Sequence, residues 1–319
     1  MTDLAKTKYQ LFAYSRTGTA LRGIRLGDVH YNLDDAVETA GYAALPGTNL
    51  DDLMAIWDSV LEIVEKLVVD LTTDQAALPG LNDIDFLSPL EAPGAIYGAG
   101  ANYRDHVEAM ARAFNMRLVL DPIAEGVDPW HFIKPGRSTV IGHNAELPFP
   151  ADTERLDWEA ELAVIIGRPA HKVSDKKALS FVAGYTCAND LSARDKLVRG
   201  TVDTSSPFKF DWVGHKCFAG SCPLGPYITP SKFIPDPENL GIRLTLNHEV
   251  MQDSNTNNHL YGVAEQISFL SQRFTLFPGD VILTGTPAGV GMERGVFLKP
   301  GDTMTVSIDE IGDLVTRLV

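Results

Sequence analysis

Along this 319-residue chain, short runs that alternate apolar and polar residues outnumber stretches with helical spacing. Near the start, YQLFAYS and TALRGIRLG predict short antiparallel strands. From Thr48 to Leu71 the pattern changes: Leu53, Trp57, Val60, Leu61, Val64, Leu67 and Val68 recur at helical spacing. Asp51 and Asp52 fall in the first turn, where negative charge suits the helix dipole, so a helix is predicted there, with the apolar stripe as its core face. Pro79, Gly80, Asn82, Pro89 and Pro93 then break any regular element between Leu78 and Pro93, which predicts an irregular crossing. Beyond it, IRLTLNHEV, DVILTGTP and TMTVSIDE read as strands, and Tyr261 to Phe274 as one of few helices. The pattern predicts an α+β protein, mainly β: residues 1–80 as a small N-terminal α/β module and 81–319 as the larger domain.

One apolar run carries charges that need an explanation. In LDWEAELAVIIG, strand alternation turns Glu159 and Glu161 to the same side as Ala163 and Ile165, while Trp158, Leu162, Val164 and Ile166 take the other side. Apolar residues on both sides predict a strand covered twice, where ionised carboxylates are very costly unless a cation compensates them. A second apolar run, FVAGYTCAND, ends in Asp190 and adds a third carboxylate. Three oxygen donors suit a hard divalent ion, Mg2+ or alternatively Mn2+ or Ca2+. The plainer alternative is a half-exposed strand with both glutamates in water.

Charge narrows the choice of partners. With 27 Lys and Arg against 42 Asp and Glu, the net charge of −15 opposes nucleic acid and anionic membrane surfaces. An organic acid would have to be held by local cations, with Lys134, Arg194 and Lys216 as candidates. The first thirty residues lack a basic segment followed by an apolar run, and no apolar stretch reaches about 18 residues, so a cytoplasmic location is expected. Cys187, Cys217 and Cys222 have no paired zinc spacing and are read as thiols. His215, two positions before Cys217, is assigned to burial or local hydrogen bonding rather than zinc. GAGAN, from Gly98, lacks the third glycine of a dinucleotide fingerprint.

Six strings in order, GANYRDH, FIKPGRSTVIG, DWEAELAVIIG, CANDLSARD, VGHKCF and PGDVILTGTPAGVG, give residues 95 to 319 a pattern that resembles the fumarylacetoacetate hydrolase family. The resemblance implies a mixed β-sandwich roll that forms a homodimer, with Glu159, Glu161 and Asp190 as metal ligands. It also implies that His106 acts with a glutamate to activate water, and that Lys134 and Lys216 contact a substrate carboxylate and stabilise developing negative charge. Tyr103 is expected at the substrate, and Arg194 either there or paired with a ligating carboxylate. The glycine-rich LTGTPAGVG supplies Gly285 and Thr286, whose N–H and hydroxyl groups suit one end of an organic acid.

One position departs from the family's pattern. Where many smaller members carry the partner glutamate, three residues after the histidine, this chain has Ala109, and Glu108 points about 200° around the helix from His106. A substitute is sought in the insertion from Met110 to Trp130, which contains Asp121, Glu125 and Asp128 and has the length of a lid. The expected activity is metal-dependent hydrolysis of a carbon–carbon bond in a 2,4-dioxo acid of the acylpyruvate type, through a stabilised enolate. The alternatives are an oxo-acid decarboxylase, tautomerase or 2-oxo-3-deoxy acid dehydratase, to which Ala109 adds weight, and a noncatalytic metal- or metabolite-binding protein.

Overall fold

The structure is a computed structural model that describes residues 7–73, 78–114, 119–203 and 205–319. Its largest element is an 11-stranded sheet. The main path runs from Val29–Asn32 through Thr19–Leu26, Tyr9–Arg16, Cys222–Pro230, Val182–Asn189, Ala160–Ile166, Val281–Leu283 and Ala95–Ala99 to His131–Pro135. A five-stranded sheet of Glu249–Asn255, Gly241–Leu246, Thr303–Ile308, Gly312–Leu318 and Ala145–Leu147 lies against it.

The alternating N-terminal segments form the expected antiparallel pair, with Tyr9 opposite Leu26 and Arg16 opposite Thr19. Their strands continue the large sheet, since Leu11 pairs with Ile228 and Phe12 with Tyr227. The predicted helix divides into Leu50–Met54 and Trp57–Thr72. Asn49 and Asp52 close a capping box on the first, and the Asp51 carboxylate accepts from the backbone N–H groups of Glu91 and Ala92 at 2.9 and 3.1 Å. That anchorage ties the short helix to the crossing segment, so the longer one starts afresh at Trp57. Near the C-terminal half, the helix predicted from Tyr261 to Phe274 spans Val263–Ser271.

Two hydrophobic cores meet on the strand Ala160–Ile166. Ala163 and Ile165 pack in the core that contains Trp57, Val60, Val64 and Leu67 of the long helix. Leu162, Val164 and Ile166 belong to the other core, with Ile242, Leu244, Met304 and Val306 of the second sheet. All seven residues of the strand are buried, so the polypeptide that carries the glutamates is held from both sides. Each large side chain buried in this way contributes about 2 kcal/mol. That rigidity is what lets the sheet's end hold charges in fixed positions.

Within the insertion from 110 to 130, residues 115–118 lie outside the described residues. Asp121 to Trp130 run as a loop whose anchors include the Tyr261 hydroxyl donating to Val127 O, Arg273 paired with Asp128 at 3.3 Å and Gly100 N–H donating to Trp130 O at 3.2 Å. Among the described residues, no helix is long and apolar enough to cross a membrane.

Candidate active site

The cage forms because two neighbouring strands end together. Ala160–Ile166 pairs antiparallel with Val182–Asn189, with Ala160 opposite Asn189, so Glu159 and Asp190 sit side by side just past the ladder. Asp190 N–H donates to Glu159 O at 2.9 Å. Glu159, Glu161 and Asp190 are all buried, and each offers a carboxylate oxygen within 4.8 Å of the others. On the far side of Ala160–Ile166, the strand Val281–Leu283 pairs with it and delivers the glycine-rich loop to the same end. Gly285 N–H donates to Glu161 Oε2 at 2.6 Å. A side chain at 285 is disfavoured, because φ is +97° and a Cβ there would lie 2.8 Å from Asn102 Cβ.

Cations surround the trio. Lys216 Nζ bridges Glu159 Oε2 and Asp190 Oδ2, both at 2.6 Å, and Lys134 Nζ holds Asp190 Oδ1 at 2.5 Å. Arg194 binds Asp157 Oδ2 through Nε at 2.8 Å and Glu159 Oε1 through a terminal nitrogen at 2.5 Å. Burial pushes the Glu159 carboxyl up, but Lys216 and Arg194 outweigh it and hold the group below the ordinary carboxylate range. Glu161 goes the other way. Burial, with Asp190 and Glu159 beside it, raises its carboxyl well above that range. Lys134, Lys216 and Arg194 pair with Asp190, Glu159 and Asp157, whereas Glu161 has no ion pair among the described residues, and a divalent ion held by the trio would offset the cost of charge there. The buried trio is therefore consistent with a divalent metal site.

The partner of His106 comes from neither Glu108 nor the insertion. His106 lies on the helix Arg104–Phe114, and its Nδ1 bonds Glu293 Oε1 at 2.6 Å, 187 positions along the chain. Glu293 Oε2 accepts from Gly289 N–H at 2.7 Å. Both side chains are about nine-tenths buried. A carboxylate at Nδ1 fixes that nitrogen as the N–H donor and leaves Nε2 as the basic atom. Glu108 instead faces Arg112 at 3.9 Å. Glu293 follows LTGTPAGVG by two residues, in a four-residue helix, and nothing in local spacing marks it as a partner for residue 106.

A cavity of about 190 Å3 opens over the cage, lined by His106, Glu159, Glu161, Arg194, Lys216 and Thr286 on its polar side. Trp130, Phe132 and Trp212 form an aromatic wall, in which Phe132 and Trp212 stack with centroids 6.0 Å apart. Thr286 Oγ1 accepts from Gln252 Nε2 at 2.9 Å, which leaves its hydroxyl proton for a ligand. Three of the expected substrate contacts do not line this cavity. Lys134 is sealed beneath Asp190 and also donates to Ser221 O at 2.8 Å, so it works on the cage. Gly285 is committed to Glu161, and Tyr103 is fully buried with its ring edge-to-face against His259. His215 is buried with Nδ1 2.9 Å from Ala193 O, while Cys217 Sγ faces Ile133 O.

Relatives share this architecture. The profile of the fumarylacetoacetate (FAA) hydrolase C-terminal family matches residues 95–319. Oxaloacetate tautomerase FAHD2B, mitochondrial, of Homo sapiens is 37% identical over 248 residues, 76% of this chain and 73% of that protein. Among solved structures, the fumarylacetoacetate hydrolase of psychrophilic Exiguobacterium antarcticum superposes with a TM-score of 0.74 at 30% identity, covering 97% of this chain and 99% of that one. The fumarylpyruvate hydrolase of Pseudomonas aeruginosa, solved with Mn2+ and pyruvate, has a TM-score of 0.60 at 31% identity over 71% of this chain and 90% of that one. With its sheets, its acidic trio and this similarity in agreement, the chain belongs to the fumarylacetoacetate hydrolase family.

Proposed function

We propose that this enzyme is a divalent-metal-dependent tautomerase of a small 2-oxo acid of the oxaloacetate type, using Mg2+ or Mn2+. The observation that carries the reading is His106, held by Glu293 through Nδ1 and lining the same cavity as Glu159 and Glu161. Tautomerisation needs one group that removes a proton from C3 and one that delivers a proton to the 2-oxo oxygen, with no net gain of atoms. His106 Nε2 takes the C3 proton, Glu293 stabilises the resulting imidazolium, and the ring then delivers that proton to the 2-oxo oxygen, so the keto form leaves as the enol with its atoms unchanged in number. Bound by Glu159, Glu161 and Asp190, a hard divalent ion would supply Lewis acidity to the 2-oxo group. Lys216 and Arg194 offset the charge of an anionic substrate, and the Thr286 hydroxyl orients one of its oxygens.

The size of the cavity supports the same reading. A cavity of about 190 Å3 falls below the roughly 300 Å3 at which pockets for drug-sized ligands begin, so it suits a substrate of a few carbons. Trp130, Phe132 and Trp212 give it one apolar side. The similarity to oxaloacetate tautomerases points the same way.

A second reading, hydrolysis of the carbon–carbon bond in a 2,4-dioxo acid, is favoured by the His106–Glu293 pair itself, because such a pair also activates water. One experiment separates the two. The protein is incubated with Mg2+ and either oxaloacetate or an acylpyruvate, and enol absorbance, carbon dioxide and pyruvate are followed. Faster keto–enol equilibration of oxaloacetate, without loss of total oxaloacetate, is the expected result. Pyruvate release from the acylpyruvate with no effect on oxaloacetate equilibration would overturn the tautomerase reading in favour of hydrolysis.

A further inference from the structure

Asp157 belongs to the same DWE triplet as Glu159, yet it is no ligand of the trio. It is fully buried in the two-residue strand Leu156–Asp157. Its carboxylate accepts four hydrogen bonds, which fills the capacity of such a group. Oδ1 takes Gly291 N–H at 2.6 Å and Trp158 N–H at 2.8 Å. Oδ2 takes Met292 N–H at 3.0 Å and Arg194 Nε at 2.8 Å.

Three of these bonds lead to two different halves of the site. Through Arg194 the carboxylate reaches Glu159, since the same guanidinium donates to Glu159 Oε1 at 2.5 Å. Through Gly291 and Met292 it holds the start of the short helix Gly291–Arg294, which carries Glu293 to His106. Trp158 next to it adds a third tie, its indole N–H donating to Gly289 O at 3.2 Å. Gly291 must be glycine for this approach, because a Cβ there would lie 2.7 Å from Asp157 Oδ1 and 2.1 Å from Val296 O.

We propose that Asp157 is a positioning residue that sets the carboxylate cage and the His106–Glu293 pair at a fixed separation. The cage rests on the ends of sheet strands, and the loop that carries Glu293 is tied to them at its start by Gly285 on Glu161 and by Gln252 on Thr286 and Pro287, and at the short helix itself by residues 157 and 158. Substrate held at the cage must present its C3 proton to His106, so a small shift of the loop relative to the cage costs rate rather than binding. The kinetic part of this inference rests on His106 being the base. The structural part does not.

Asp157→Asn tests both. The amide keeps the size of the side chain but has one accepting oxygen, so its NH2 group must face either the N–H groups of Gly291 and Trp158 or the N–H of Met292 and Nε of Arg194, and in both cases the hold on the short helix is weakened. In the metal-free protein, the low-field proton resonance of His106 Nδ1–H is expected to move or broaden. The Mn2+ dissociation constant is expected to rise about tenfold, and kcat to fall about 10- to 100-fold with KM within about threefold. A wild-type His106 resonance together with an Mn2+ affinity within twofold of wild type overturns the proposal, whatever the enzyme's substrate. Should Asp157→Asn not fold, Arg194→Lys answers the same question: it keeps positive charge beside Glu159 but removes the Nε bond to Asp157. Residue 194 has no hydrogen bond to His106 or Glu293, so movement of the His106 resonance supports transmission through Asp157, and an unmoved resonance overturns it.

Discussion

Replacing Glu293 by Gln leaves the side chain's size and removes its charge, which isolates what the carboxylate does for His106. In the native arrangement Oε1 accepts from His106 Nδ1 at 2.6 Å and Oε2 accepts from Gly289 N–H at 2.7 Å. The amide has one acceptor for two donors. If its oxygen stays with Gly289, its NH2 faces Nδ1 and turns the imidazole to the tautomer that carries its proton on Nε2, where it cannot act as a base toward the cavity. If the oxygen stays with Nδ1, the NH2 meets the Gly289 N–H and the loop shifts. Either way one charge-assisted hydrogen bond in a nearly dry setting is lost, about 2 kcal/mol. Only the state with an imidazolium makes full use of that bond, so the loss falls mainly on the transition state and lowers kcat about 30-fold. The assay is keto–enol equilibration of oxaloacetate at saturating Mg2+, followed by enol absorbance, with the thermal midpoint recorded for each variant. A Glu293→Gln enzyme with kcat within twofold of wild type, while His106→Ala is inactive, would falsify the reasoning: His106 would then work without its carboxylate.

Other expectations follow from the same geometry. Glu161→Gln should weaken Mn2+ binding at least 100-fold by calorimetry, yet leave the metal-free protein as stable or more so. Burial and the neighbouring Asp190 and Glu159 raise the native carboxyl, and a neutral amide relieves that conflict. An unchanged Mn2+ affinity would remove Glu161 from the cage. Burial lowers His131 from 6.5 to about 4, so the folded state resists a proton that the unfolded chain accepts. The stability this residue contributes is present above about pH 6.5 and is lost as pH falls towards 4, by about 3 kcal/mol. Urea melts at neutral and mildly acidic pH should therefore show a smaller acid loss in His131→Asn than in wild type, and equal losses would contradict the assignment. Leu67→Ala, in the core shared by the long helix and the strand behind the cage, should cost about 3 kcal/mol in denaturant melts while kcat at saturating metal stays within threefold.

The amino-acid sequence alone determines what depends on short-range pattern. Alternation placed Glu159 and Glu161 on one side of a strand with apolar residues on both, and one further strand brought Asp190, so the trio was legible because adjacent antiparallel strands carry it. The N-terminal hairpin and the apolar stripe from Leu53 to Val68 were readable for the same reason, although the anchoring of Asp51 to Glu91 and Ala92 breaks the expected helix in two. Only the tertiary structure decided how His106 is completed. Helical spacing around residue 106 offers Ala109 and Glu108, whereas Glu293 arrives from a loop 187 positions away, and no periodicity reaches across such a gap. The same holds for the cations: sequence marked Lys134, Arg194 and Lys216 as anion holders, with Arg194 alternatively paired to a ligating carboxylate, and three-dimensional packing sets all three against the protein's own carboxylates while Arg194 and Lys216 also line the cavity. A buried charge pairs with whatever opposite charge the fold brings nearest, and that choice is made by long-range contacts which local sequence does not encode.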